Sequence, residues 1–278
     1  MSSPSSVSIC FRKVMSSPSS VSICFCKVED LAKKLRYLVG LSILLENWPE
    51  VLWRFLSKSE AGGFFRFRDG LTMRCAQWIE VEEIIGTFIR RDYGEISSGK
   101  VAVDVGASLG SFSLNAARQG AKVLAFEPAP SSFHLLSQNT KLNRLESRIK
   151  PFELGVAGRA GKRTFFLTRF SPLSSFFSRR GDKIAVECVT FQDIFEENHL
   201  KAIDLLKLDC EGAEYEILYR TPAEILKKIK EIRLEYHVLP GKKTNPEDLT
   251  DFLLRQGFAL VHQRRDAPIS GILWFRRV

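Results

Sequence analysis

The sequence predicts an α/β fold. Its core is a mostly parallel sheet with helices on both faces and an antiparallel pair of strands at the C-terminal end. Three observations carry this. From Lys100 onward, short apolar runs alternate with amphipathic segments, the pattern of repeated βα units. Glycines and acidic residues gather just after those runs, where such sheets place their ligands. The last two apolar runs are joined by too few residues for a crossover helix, so they must be antiparallel.

The elements follow in order. Val101–Val105 is the first strand, and a helix over Ser111–Gln119 stops at Gly120. Lys122–Phe126 is the second strand, followed by a helix over Ser131–Lys141. Ile149–Val156 reads as a third strand, and an insert rich in Phe, Arg and Ser then interrupts the rhythm. Ile203–Asp209 and Ile232–Tyr236 are the fourth and fifth strands, with helical segments near Tyr215–Tyr219 and up to Lys230. Asn245-Pro246 opens a helix that ends before Gly257, and Phe258–Gln263 and Gly271–Arg276 close the chain.

The N-terminal third is different. Residues 1–14 recur as 15–28 with one change, Arg12 to Cys26, in a Ser-rich, acid-free stretch that cannot build a core. It reads as a tail, with organelle targeting as the alternative; the expected location is otherwise cytoplasmic. Residues 29–58 carry leucines at helical spacing, and 64–80 fit a strand pair turning at Asp69-Gly70. The expected organisation is therefore a tail over 1–28, a helical and β extension over 29–98, and the main domain over 99–278. The apolar run Tyr37–Leu45 is too short to span a bilayer, although an interfacial contact with a membrane stays open.

Composition sets the outer limits. With 278 residues, 45% hydrophobic and 26% charged, the chain is neither wholly disordered nor collagen-like nor a multi-span membrane protein. The six cysteines form no pair of C-x-x-C units, so no zinc ribbon is expected. The net charge of +9 is uneven: residues 159–183 hold seven basic residues and one acidic. That stretch suits a phosphate, a nucleic acid or an anionic surface, or else is a solvated hairpin.

The candidate site lies at the carboxyl ends of the strands. After the first strand come Asp104, Gly106, Ala107, Ser108 and Gly110, a turn matching neither G-x-G-x-x-G nor the P-loop. The second strand ends in Glu127-Pro128, 23 residues past Asp104, where a carboxylate can take two ribose hydroxyls. Together these point to an adenosine-bearing cofactor. The fourth strand offers Lys207 and Asp209 on one face, and the fifth ends in Glu235 and His237, also on one face. A lysine inside an apolar strand needs a carboxylate partner, so a structural pair is the plain reading of Lys207.

The stretches V-D-V-G-A-S-L-G-S-F-S, F-E-P-A-P and L-L-K-L-D-C-E-G-A-E-Y-E-I-L resemble the FkbM family of S-adenosylmethionine-dependent methyltransferases over roughly residues 80–240. The resemblance implies a Rossmann-like, seven-stranded class I methyltransferase sheet and O-methylation of hydroxyls on sugars, glycans or natural products. It carries Asp104, Gly106, Ala107, Gly110, Glu127 and Pro128 over as cofactor contacts. Ser111 and Phe112 follow at a helix start suited to the cofactor carboxylate, and Val156 and Ala157 would lie near the adenine. Ser108 and Cys210 depart from the commoner Asn and Val.

Two mechanisms fit the remaining groups. In one, His237 or Asp209 is the general base. In the other, Asp209, Glu235 and His237 hold a divalent ion, which the sequence permits without requiring. The favoured partner is a small-molecule or glycan acceptor, with the insert's arginines and phenylalanines beside it. A methyltransferase acting on RNA, a nicotinamide enzyme lacking its glycine fingerprint, and a non-catalytic protein binding nucleic acid or membrane are the competing classes.

Overall fold

A computed structural model of the chain describes residues 32, 34–57, 59, 61–77, 80–167, 181–239 and 244–278. The duplicated segment 1–28 and Arg169, Phe170, Phe176, Phe177, Arg179 and Arg180 of the basic insert lie outside these residues.

Helix α1 covers residues 34–44 and α2 Trp48–Leu56. The single helix expected over 29–58 is thus two. Pro49 explains the break, because a proline is accepted in a first helical turn but disfavours helix just before itself. Leu45 instead forms a β-bridge with Phe67. Strands β1 (Gly63–Arg66) and β2 (Thr72–Cys75) form the expected hairpin, turning through Gly70 at φ +90°. Helix α3 (Val81–Ile84), unforeseen from sequence, runs directly into a π-helical turn over Ile85–Arg90.

The main sheet uses β3 (Val101–Val105), β4 (Lys122–Phe126), β5 (Ile149–Phe152), β9 (Ile203–Leu208), β10 (Ile229–His237), β11 (Phe258–Ala267) and β12 (Ser270–Arg277). Their order is β11-β12-β10-β9-β3-β4-β5. All neighbours are parallel except β12, which is wedged antiparallel between β10 and β11. The chain moves outward from β3 to β5 and then returns to β9 on the other side of β3. That reversal opens a crevice at the carboxyl ends of β3 and β9.

Helices α4 (Ser111–Arg118) and α5 (Pro130–Leu142) follow β3 and β4. Helix α6 (Phe191–Glu197) starts with a reciprocal capping box between Thr190 and Asp193. Helices α7 (Glu214–Arg220) and α8 (Ala223–Leu226) link β9 to β10, and α9 (Pro246–Arg255) is capped by Asn245, whose Oδ1 accepts from Asp248 N at 2.8 Å.

The third strand differs from expectation. It ends at Phe152, and Gly155–Val156 (β6) leaves the main sheet to pair with β8 (Asp182–Val189), which also pairs with β7 (Gly161–Leu167). Pro151 cannot donate to a ladder, so β5 is confined to the sheet edge. The insert thereby becomes a three-stranded sheet beside the crevice.

The N-terminal hairpin is held by two asparagines one turn apart, Asn139 on α5 and Asn143 at its C-cap. Asn139 accepts from Arg74 N at 2.6 Å and donates to Arg74 O at 3.0 Å; Asn143 does the same with Thr72 at 2.9 and 2.7 Å. The side-chain amides act as a surrogate strand for the outer edge of β2, leaving its backbone groups paired. Apolar side chains of α1, α2, β1 and β2 run on into the core beneath α4 and α5. Among the described residues no helix is long and apolar enough to cross a membrane.

Candidate active site

A cleft of about 260 Å³ occupies the crevice at the strand ends. One wall is the loop after β3. Gly106 stands at φ +73°, and a Cβ there would run into the backbone oxygen of Asp209. Only glycine lets the loop pass this close to the end of β9. Gly106 N and Ala107 N both donate to Phe126 O, at 3.0 and 3.1 Å, tying the loop to β4. Ser111 and Phe112 open α4 from the cleft wall.

Glu127 fills one end. Its Oε2 accepts from Ser108 N and its Oε1 from Ala129 N, both at 2.8 Å. These bonds fix the carboxylate at the cleft, and each oxygen keeps lone-pair capacity for a further donor. Burial pushes its pKa up to about 7, against the backbone donors and the Lys207 charge that favour ionisation. Pro128, Phe126, Val156 and Phe165 make the apolar surroundings, with Phe126 stacked on Phe152 at 4.6 Å.

The N-terminal extension supplies a wall that the sequence did not disclose. Glu83 reaches in from α3, where Ser108 Oγ donates to it at 2.5 Å and Ser111 Oγ at 3.3 Å. Burial pushes Glu83 up to about 8, opposed by the Ser108 bond. Thr87 donates to Ser111 Oγ at 3.0 Å from the π-turn. A π-turn widens a helix locally and is common at functional sites.

The opposite end is acidic. Asp209 Oδ2 accepts from the buried Tyr93 hydroxyl at 2.9 Å, and Glu211 and Glu235 line the same end. Beneath it, Lys207 Nζ lies 3.1 Å from Asp104 Oδ1, off line for a hydrogen bond, and donates to Gly106 O at 2.6 Å. Burial acts to discharge Lys207, but Asp104 and Asp209 outweigh it and the ammonium is held charged.

The structure therefore brings Gly106, Ala107, Ser111, Phe112, Glu127, Pro128, Val156, Lys207, Asp209 and Glu235 to one cleft. Four expected residues do not line it. Asp104 is fully buried under the loop, bound to Lys207 and to Ser113 Oγ at 2.7 Å, because strand register sets it directly across from Lys207. Gly110 is the N-cap of α4 at φ +96°. Ala157 is buried among Phe165, Val186 and Cys188, since β6 has left the main sheet.

His237 is the fourth. Its Nδ1 is 3.6 Å from Glu214 Oε1, and its Nε2 is 3.6 Å from Glu211 and 3.8 Å from Glu235. Burial alone would favour the neutral ring, but the carboxylates of Glu214, Glu211 and Asp209 hold its pKa near 10. The ring therefore favours its protonated form, paired to the carboxylates around it. Among the described residues Asp209, Glu211 and His237 bring one ligand atom each within 4.8 Å of one another, with Glu211 in place of Glu235 of the expected set.

Glu83, Thr87 and Tyr93 come from a segment with no motif of its own. Glu211 turns inward at φ +54°, a backbone state that strand periodicity does not signal.

Comparison with known proteins agrees with this geometry. Residues 104–260, more than half of the chain, match the methyltransferase FkbM domain. Methyltransferase sdnD of Sordaria araneosa is 30% identical over 63% of this chain and 80% of its own length. The 31-O-demethyl-FK506 methyltransferase FkbM of Streptomyces tacrolimicus is 28% identical over 53% of this chain and 69% of its own. Hexuronic acid methyltransferase AglP of Haloferax volcanii is 23% identical over 57% and 63%. On the strand order, the cleft and these matches together, the chain belongs to the methyltransferase FkbM domain family.

Proposed function

We propose that the protein methylates a hydroxyl oxygen of a sugar or natural-product acceptor, with S-adenosylmethionine as methyl donor. The observation that carries this is the division of the cleft. A buried carboxylate held by two backbone donors, Glu127, stands at one end and the acidic pair Asp209 and Glu235 at the other, with a glycine loop and a helix start between them. S-adenosylmethionine supplies a methyl group on a sulfonium leaving group. Glu127 takes the ribose hydroxyls, and the first turn of α4 faces the cofactor carboxylate. Glu83 adds a negative group for the cofactor's ammonium.

The acceptor hydroxyl is placed between Asp209 and Glu235. Its oxygen forms the new bond to the methyl carbon as the carbon–sulfur bond breaks, and that electron pair stays on sulfur. Its proton passes to Glu235 in its ionised form; Glu235 accepts no hydrogen bond among the described residues and burial and the Asp209 charge push its pKa up to about 8, whereas Asp209 is already engaged by Tyr93. The names of two relatives support an oxygen acceptor and a sugar acid.

Cofactor titration by calorimetry tests the first half. Glu127→Ala is expected to weaken S-adenosylmethionine binding by about 1.5–3 kcal/mol, the range for bonds to a charged group. Unchanged affinity would remove Glu127 from the ribose.

The same site predicts a pH dependence. Burial raises Glu127 to about 7 and Glu83 to about 8, both above the ordinary carboxylate value, so each ionises only as pH rises through that range. The ionised forms bind the cofactor. Affinity is therefore expected to climb with pH, falling up to roughly tenfold per unit between about pH 8 and 7 and up to roughly a hundredfold per unit below about pH 7, where both groups take up a proton. Glu127→Ala should remove the lower step. A wild-type affinity that is flat from acid to neutral pH contradicts the assignment.

A further inference from the structure

We propose that Asp209, Glu211 and Nε2 of His237 form a binding site for one divalent cation of the magnesium or manganese class, which holds the acceptor oxygen at the acidic end of the cleft. The ion's chemical role rests on the methyltransferase reading above; its binding does not.

The donors are already gathered. One ligand atom from each residue lies within 4.8 Å of the other two. Their side chains are 29%, 27% and 19% exposed, open enough for an ion to enter and covered enough to hold it. Two carboxylate oxygens and an imidazole nitrogen suit a hard or borderline cation. Metal–oxygen distances of about 2.1 Å require the donors to close by roughly 1–2 Å, which side-chain rotation of Asp209 and Glu211 can supply.

Glu214 provides an independent pointer. It is fully buried, Oε1 accepts from Cys210 N at 2.9 Å, and Oε2 has no hydrogen-bond partner among the described residues. Its Oε1 faces Nδ1 of His237 at 3.6 Å. A buried carboxylate behind one imidazole nitrogen is how proteins fix the tautomer and direction of a metal-ligating histidine. Here it holds a proton on Nδ1, so an ion entering beside Asp209 and Glu211 displaces the proton of Nε2 and takes that lone pair.

Charge points the same way. Asp209, Glu211 and Glu235 crowd a single imidazole, while among the described residues the ammonium beside them, Lys207, is 3.9 Å from Asp209 and already paired with Asp104. Arg90 and Arg264 are both turned to Asp92. A cation bound here reaches the cleft through Asp209 and Glu211, both of which line it. Coordinating the acceptor hydroxyl would weaken its O–H bond, so the proton leaves more readily to Glu235 as oxygen attacks the methyl carbon. Such an ion favours acceptors that present two neighbouring oxygens, as sugars and hydroxy acids do.

Manganese binding to the cofactor-free full chain decides this, read by loss of the free-ion electron paramagnetic resonance signal. We expect one Mn²⁺ per chain, displaced by excess Mg²⁺. Glu211→Gln and His237→Ala should each weaken binding at least about tenfold, and Glu214→Gln, which acts only through His237, by about tenfold or more. Glu127→Ala, at the far end, should bind Mn²⁺ like the unaltered chain. Thermal melts establish that each variant is folded, and His237→Gln replaces the alanine variant if that one is not. No stoichiometric binding at millimolar Mn²⁺, or binding unchanged in both folded ligand variants, overturns the site. A chain that binds S-adenosylmethionine but no Mn²⁺ loses the ion and keeps the methyltransferase reading; the opposite result keeps the ion and sinks the donor.

Discussion

Lys207→Met is expected to destabilise the fold by about 3–5 kcal/mol, the cost of leaving a buried charge without its partner. Asp104 is fully buried and Lys207 nearly so. Without the ammonium, Asp104 keeps only the Ser113 hydroxyl, and Gly106 O loses its 2.6 Å donor. Methionine fills the space but supplies neither charge nor proton. A domain of this kind has about 5–15 kcal/mol in hand, so chemical denaturation should show a large fall in midpoint with little change in slope. Lys207→Met combined with Asp104→Asn should recover part of the loss, because the remaining group is then neutral. A single variant as stable as the parent would mean that the pair does not act as a buried ion pair. Because Lys207 also holds the loop that walls the cleft, cofactor affinity should fall in the single variant even where it remains folded.

Lys207 and Asp104 differ in how much of their role the sequence alone carries. A lysine in an apolar strand announced a carboxylate partner, and the period of two placed Lys207 beside Asp209. The register that sets Asp104 across from Lys207 belongs to the sheet, not to either strand, so Asp104 read as a cofactor contact when it is the foundation under the loop. Glu127 and the glycine turn were legible because motif and strand end coincide there. Glu83 was not, since it arrives from the extension through a π-turn. Glu211 was not, because its inward direction depends on a left-handed backbone just before Gly212. The apolar run Ile149–Val156 outlasts the strand it forms: Pro151 and Gly155 mark the change of sheet, but an apolar run hides the point where a partner is exchanged. His237 was correctly placed at the end of β10. Its ring direction is decided by Glu214, four residues beyond Cys210 on a different element, and only the packed structure supplies that.

Glu235→Gln is expected to lower kcat by roughly 10²–10⁴-fold, the usual share of a positioned general base, while cofactor affinity stays near the parent value. Glutamine keeps the shape and can still accept a hydrogen bond from the acceptor hydroxyl. It cannot take the proton. Since the hydroxyl of a sugar is a very weak acid, that proton has to leave in the transition state, and the loss should fall on kcat more than on KM. Asp209→Asn is the instructive companion. Its Oδ2 is committed to Tyr93, so its expected role is to position the acceptor, directly or through a bound ion, and the variant should raise acceptor KM as well as lower kcat. A screen of glycans, nucleotide sugars, lipids and RNA with labelled S-adenosylmethionine supplies the acceptor for both measurements. If Glu235→Gln keeps the parent kcat while Asp209→Asn abolishes turnover, the proton goes to Asp209. If both retain it, the methyl group is transferred elsewhere in the cleft, and the acidic end has no part in the chemistry.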